Sequence, residues 1–193
     1  MIIAICGGIG AGKSVVSRIL STLGYDVFDC DRQARILMDN SLDIKTHINR
    51  HIAPGCLLDD LSLDRQLIAK VVFSDPTALN ALNSVVHTAL KEELTRWCND
   101  EVRTKPAFFE TAIPVTSGIA DYADQIWEVT APEAVRVQRV MKRSALTAEQ
   151  VISRIEAQKT EVVPEAKVIV NDGVTPLLPA ILSLLSPSNP SSL

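Results

Sequence analysis

No stretch of this sequence approaches the roughly eighteen uninterrupted apolar residues of a membrane-spanning helix, so a helical membrane protein is not expected. The first residues offer no basic segment ahead of their apolar run, and a secretory signal peptide is not expected either. The four cysteines, Cys6, Cys30, Cys56 and Cys98, contain no C-x-x-C pair and no metal-ligand spacing. That sets aside a cysteine metal site and leaves thiols in a reducing cytoplasm as the plain reading. Positive charge is not in excess: 19 Lys and Arg stand against 23 Asp and Glu, a net charge of −4. Such a balance gives no reason to expect nucleic acid or an anionic membrane as partner, and a phosphorylated substrate requires a local basic patch. Internal repeats and long low-complexity segments are absent as well. What remains is 193 residues, 47% hydrophobic and 22% charged, long enough for one domain with a full core.

The most informative stretch is residues 2 to 14, Ile-Ile-Ala-Ile-Cys-Gly-Gly-Ile-Gly-Ala-Gly-Lys-Ser. Its apolar start suits a strand buried on both faces. A glycine-rich turn follows, and then Val15 to Leu20 shows helical periodicity. Gly7, Gly12, Lys13 and Ser14 satisfy G-x-x-x-x-G-K-[ST], the phosphate-binding loop of P-loop nucleotide enzymes. Glycine permits positive φ and brings backbone N–H groups close to an anion. The following helix aims its positive end at the same point. Lys13 can reach terminal phosphates, and the Ser14 hydroxyl can ligate the accompanying Mg²⁺. The competing dinucleotide fingerprint, G-x-G-x-x-G, needs glycine at 13 after Gly8 and Gly10, and Lys13 stands there.

Further along, Leu23-Gly24 reads as a helix stop and Tyr25 to Phe28 as a second strand, ending in Asp29-Cys30-Asp31. Functional groups of open parallel sheets gather outside the carboxyl ends of the strands, so Asp29 and Asp31 are expected beside the phosphate loop. A carboxylate there can serve as general base, or it can simply cap the helix that follows; Asp31 admits both readings. Residues 32 to 102 look helical throughout, with cap or turn signals at Asn40-Ser41, Pro54-Gly55 to Leu63, and Asp75-Pro76. About seventy residues without a strong strand exceed an ordinary crossover and read as a helical substrate-binding insertion. Within it, Arg65 can pair with a substrate phosphate or merely with Asp64, and His87 lies on a helix.

Ala107 to Glu110 reads as a third strand, and Glu110 at its end can bind Mg²⁺ through water or hold a basic side chain. Gln125 to Val129 reads as a fourth strand. Thr130 and Glu133 are spaced for a capping box, opening a helix that carries Arg136, Arg139 and Arg143 as one basic stripe. Thr147-Ala148-Glu149-Gln150 is a second capping box, before Arg154, Gln158 and Lys159. Two short helices with convergent Arg and Lys form a lid able to cover transferred phosphate charge. Lys167 to Val170 is the fifth strand, ending in Asn171, which can bond a nucleobase edge or make a turn. Residues 174 to 185 form the last helix, and 186 to 193, rich in Pro and Ser, a frayed tail.

Taken in order, Gly7 to Ser14, Asp29-Cys30-Asp31-Arg32-Gln33-Ala34-Arg35, Asp64-Arg65, Leu79 to His87, Ala131 to Arg143, Arg154 to Gln158 and Val168 to Gly173 resemble the dephospho-CoA kinase family, across residues 1 to about 185. The resemblance implies ATP- and Mg²⁺-dependent phosphorylation of the ribose 3′-hydroxyl of dephospho-CoA. It implies an α/β fold: a five-stranded parallel sheet with helices on both faces, a helical substrate-binding insertion and a helical lid. The boundaries that follow are a single domain over 1–185, with core segments 1–31, 103–138 and 160–185, substrate region 32–102 and lid 139–159. By the same resemblance Asp31 is the general base and also touches the substrate, while Lys13, Arg139 and Arg143 neutralise the moving phosphoryl group. ATP falls to Gly8, Gly10, Ala11, Gly12, Lys13, Ser14, Val15, Arg143 and Asn171, the last near adenine, and the metal to Ser14. Arg35, Arg65 and His87 lie on the coenzyme side. The sequence departs from the family pattern at Val15, where Thr is usual, at Thr88, where Pro is usual, and over 112–118, where Thr116 replaces a carboxylate.

Two other readings compete. One is a P-loop kinase for another small acceptor, such as a nucleoside monophosphate. The other is a nucleotide-switched binding protein, against which stand the missing Asn-Lys-x-Asp signature and the missing Asp-x-x-Gly after strand three. The expected partners are small molecules, with neither nucleic acid nor membrane, and the expected state is a monomer or weak homo-oligomer.

Overall fold

The computed structural model describes residues 1–99, 103–158, 163 and 165–186; Lys159 and the predicted tail beyond 186 lie outside them. The chain divides into two compact units, Met1–Phe28 with Val102–Leu193, and Asp29–Glu101. The first unit is built on strands β1 (Ile2–Cys6), β2 (Val27–Asp29, whose last residue opens the second unit), β3 (Ala107–Glu110), β4 (Gln125–Thr130) and β5 (Lys167–Val170). They form one sheet in the order β2-β3-β1-β4-β5. Strand β1 is central and parallel to β3 and β4, and β4 is parallel to β5. Burial on both faces explains why β1 reads as an unbroken apolar run: Ile3 and Ile5 face one way, Ala4 and Cys6 the other, and all four are buried.

Helices α1 (Lys13–Thr22) and α8 (Leu177–Leu185) cover one sheet face, where Val16, Leu20 and Ile181 pack against Ile3, Ile5, Phe108, Trp127, Val129 and Ile169. On the opposite face Ala107 and Phe109 are equally buried. Helix α8 starts three residues later than the periodicity predicts. The Asp172 carboxylate accepts from the N–H groups of Val174 and Thr175 at 2.9 and 2.7 Å, which holds that stretch in a turn. Between β4 and β5 stand α6 (Glu133–Arg143) and α7 (Ala148–Ala157), packed through Val140, Val151 and Ile155. Helix α7 begins with the predicted capping box, Thr147 and Gln150 each bonded to the other's backbone. The box predicted at Thr130 does not form. Thr130 is the last residue of β4, its carbonyl accepts from the Asn171 N–H at 2.7 Å, and α6 has no side-chain cap.

The second unit is helical: α2 (Cys30–Asn40), α3 (Leu42–His51), α4 (Arg65–Ser74) and α5 (Pro76–Cys98), with α2, α3 and α4 each packed on α5. Each helix starts on a side-chain cap, Asp29, Ser41, Asp64 and Asp75 respectively, so every start signal in this region is local chemistry. Its core is Ile44, Ile48, Ile52, Ile68, Val72 and Ala78. None of the four cysteines forms a disulfide. Among the described residues no helix is long and apolar enough to cross a membrane.

Candidate active site

The phosphate loop joins β1 to α1, and its glycines are dictated by close contact as well as by backbone angle. Gly7, Gly10 and Gly12 have φ of +140°, +78° and +98°, values that side-chain-bearing residues rarely adopt. A Cβ on Gly7 would lie 2.2 Å from the Val129 carbonyl oxygen, and one on Gly12 would lie 2.0 Å from the Asn171 amide nitrogen. The turn closes on itself, with the Ala11 N–H donating to the Gly8 carbonyl at 3.1 Å. The Lys13 ammonium folds back over the loop and donates to the Gly7 carbonyl at 2.8 Å. Helix α1 starts at Lys13, so its first-turn N–H groups and positive dipole end open onto the cradle. The Ser14 hydroxyl is exposed in that turn and has no side-chain partner among the described residues; Val15 beside it is exposed too. Glu110 pairs with Ile5 and Glu128 with Cys6 in the sheet, so a carboxylate stands on each side of the root of the loop.

Three residues from later in the chain brace this loop. The Arg139 guanidinium donates to the Asn171 carbonyl at 3.0 Å and to the Asn171 side-chain oxygen at 3.1 Å, with longer contacts of 3.4 Å to the carbonyls of Gly10 and Ala11. The buried Asn171 amide donates to the Ala11 carbonyl at 2.9 Å. Nε of Arg136 donates to the Ile9 carbonyl at 2.9 Å, and burial pulls its guanidinium below the usual arginine range. The family resemblance puts Arg139 on the moving phosphoryl group and Asn171 near adenine. In the structure both side chains are engaged in holding the loop. Arg143, in the last turn of α6, is exposed and has no side-chain partner among the described residues.

In the helical unit, the cap at Asp29-Cys30-Asp31 is the first aspartate, not the third residue. Asp29 is the cap of α2, its carboxylate accepting from the Arg32 N–H at 2.9 Å. Asp31 lies in the first turn, exposed, and its carboxylate has no partner among the described residues. Arg35 follows one turn later on the same face and is likewise exposed and without a side-chain partner there. Arg65 does not pair with Asp64, whose carboxylate caps α4; its guanidinium reaches Asp39, on that same face of α2, at 2.5 Å. Both side chains are about half exposed, so the pair is weak and separable by a competing anion. His87 is half-buried on α5, and burial, then the nearby Lys91 charge, lowers its pKa, which favours the neutral ring near pH 7. Arg136 and Gln158 are the site residues that sequence reasoning leaves unassigned. The one signal for them is their place in the basic stripe and in the Arg154 to Gln158 motif.

Comparison with known proteins places these features in a family context. The family model for dephospho-CoA kinase matches residues 1–176. The dephospho-CoA kinase of Bacteroides fragilis is 33% identical over 190 residues, covering 95% of this chain and 91% of that protein. The crystal structure of TT1252 from Thermus thermophilus superposes with a TM-score of 0.79 at 31% identity, over 97% of this chain and 98% of that one. The fold is also that of the dephospho-CoA kinase from Campylobacter jejuni, with a TM-score of 0.69 at 19% identity over 95% and 96% of the two chains.

Proposed function

The chain belongs to the dephospho-CoA kinase family, and we propose on that footing that it transfers the γ-phosphoryl group of ATP to the ribose 3′-hydroxyl of dephospho-CoA, giving coenzyme A and ADP. The observation that carries the site assignment is the division of labour between two neighbouring aspartates: Asp29 caps α2, and the Asp31 carboxylate is left for chemistry. Asp31 accepts the proton of the 3′-hydroxyl as that oxygen attacks the γ-phosphorus, and the bond to the β,γ-bridging oxygen breaks to release ADP. Lys13 exchanges the Gly7 carbonyl for the terminal phosphates, and the N–H groups of Gly8, Gly10, Gly12 and Ser14 form the remaining cradle, while Ala11 and Val15 shape it by donating their own N–H groups to the carbonyls of Gly8 and Gly12. Arg143 faces the developing charge from the end of α6. Arg139 and Asn171 support the same step indirectly, through the loop they brace. Arg35, Arg65 and His87 bind the coenzyme, Arg65 by leaving Asp39 for an anionic group.

The residues fit a nucleotide-bound Mg²⁺. Such an ion takes one or two protein oxygens and otherwise phosphates and water, and the exposed Ser14 hydroxyl offers one. When bound, Mg²⁺ supplies neutralisation of phosphate charge. We place the enzyme in the cytoplasm, as a monomer or weak homo-oligomer, without nucleic-acid or membrane partners; the net charge of −4 supports the last of these.

The test is direct. Incubation with ATP, Mg²⁺ and dephospho-CoA is expected to yield a product with a new 3′-phosphate, faster than any nucleoside monophosphate or pantothenate-type acceptor at the same ATP concentration. A different preferred acceptor would reassign the substrate, and absence of transfer to any acceptor would remove the kinase reading.

A further inference from the structure

Ile9, in the middle of the phosphate loop, is held by the α6–α7 segment in three ways at once. Its side chain packs with Val140, Val151 and Ile155, the core between those two helices. Its N–H donates to the Gln158 side-chain oxygen at 2.7 Å, at the C-terminal cap of α7. Its carbonyl accepts from Nε of Arg136 at 2.9 Å. The fit is close: a Cβ on Gly8 would lie 2.2 Å from an Arg136 terminal nitrogen, and one on Gly10 would lie 2.7 Å from the Arg136 carbonyl oxygen and 3.0 Å from a Val140 methyl. Both peptide groups flanking Ile9 are therefore fixed in orientation.

That has a consequence for the next donor along. In a trans peptide the N–H points opposite to the C=O. With the Ile9 carbonyl held toward Arg136, the Gly10 N–H points away from α6. Gly10 is buried, and its N–H has no acceptor among the described residues, an uncommon and costly state for a backbone donor. An anion is the partner such a donor suits, at the turn preceding a helix N-terminus.

We infer that Arg136 and Gln158 are positioning residues that clamp Ile9 and so aim the Gly10 N–H at the terminal phosphates of the bound nucleotide, making the α6–α7 segment a part of the cradle. This rests on the phosphate loop being the nucleotide site and is independent of which acceptor is phosphorylated. The clamp also links the two helices to the loop mechanically. A movement of α7 that carries Gln158 away releases the Ile9 N–H and lets the loop reorient.

The experiment is equilibrium titration with ATP and, separately, with AMP, which lacks the terminal phosphates. Gln158→Met keeps the length of the side chain and removes the acceptor. It is expected to weaken ATP about tenfold while leaving AMP binding and the melting temperature essentially unchanged. Arg136→Lys, which keeps the charge but shifts the donor, is expected to give the same selective loss. The double variant is expected to lose less than the product of the single effects, because both act through one residue. Equal losses for ATP and AMP would overturn the assignment, as would parental ATP affinity in both single variants. Should Gln158→Met fail to fold, Arg136→Lys decides by the same criterion. Neither titration contains an acceptor, so failure of the clamp and failure of the dephospho-CoA assignment are read separately.

Discussion

The two units of the molecule treat their functional groups in opposite ways. In the sheet unit almost every polar group around the phosphate loop is engaged: Lys13 on Gly7, Asn171 on Ala11, Arg139 on Asn171, Arg136 and Gln158 on Ile9. In the helical unit Asp31 and Arg35 stand exposed on one face of α2 without side-chain partners among the described residues, and Arg65 holds Asp39 in a half-exposed pair. On the proposed function, the contrast separates two tasks. A triphosphate needs donors fixed in advance, because preorganised donors cost no reorganisation when charge moves. An acceptor alcohol needs a base that stays basic and open, and a carboxylate engaged in capping is neither. Substitutions in the first unit should therefore act on ATP affinity and stability, and those in the second on turnover and acceptor binding.

The largest break in that contrast is Lys13→Ala, expected to lower kcat/KM about a thousandfold with every acceptor, since it removes the ammonium that lies over the phosphate loop. Gly12→Ala is expected to destabilise the protein by about 3 kcal/mol in denaturant unfolding, from the +98° φ together with the 2.0 Å approach of the Asn171 amide. A parental unfolding midpoint there would mean the loop is softer than its geometry indicates. Asn171→Ala strips Ala11 and Arg139 of a shared partner and is expected to cost about 2 kcal/mol and to raise the KM for ATP, not that for the acceptor. An acceptor-side effect instead would blur the division between units. The smallest effect belongs to His87. Its folded pKa is lowered, so the unfolded state takes up the proton first as pH falls below about 6.5, and stability declines through that window. His87→Gln is expected to flatten this part of the stability–pH profile, measured by urea unfolding between pH 7 and about 5; an unchanged slope would assign the acid sensitivity to other groups.

Much of this arrangement is legible in the residues because its signals are local. The loop motif, the buried alternation of β1, the Asp75-Pro76 start of α5 and the Thr147 capping box each need only a few consecutive positions. What escapes is set by distant partners. Nothing in the sequence says that β3 inserts between β1 and β2 and leaves β2 at the sheet edge, since strand order follows long-range pairing. The sequence gives no sign that Arg139 bonds a partner 32 residues away, or that the Asn171 amide donates to Ala11, 160 residues earlier. Asp29 and Asp31 are indistinguishable by cap propensity; only the hydrogen bond to Arg32 tells them apart.

That distinction supplies the most direct test. Single-turnover phosphoryl transfer from ATP to dephospho-CoA should be compared in Asp31→Asn and Asp29→Ala, with ATP affinity measured in both. The account predicts a fall of about a thousandfold in transfer for Asp31→Asn at parental ATP affinity, and for Asp29→Ala a stability loss of about 1 kcal/mol with transfer changed no more than a few-fold. Near-parental transfer by Asp31→Asn, or a collapse of transfer confined to Asp29→Ala, would contradict it.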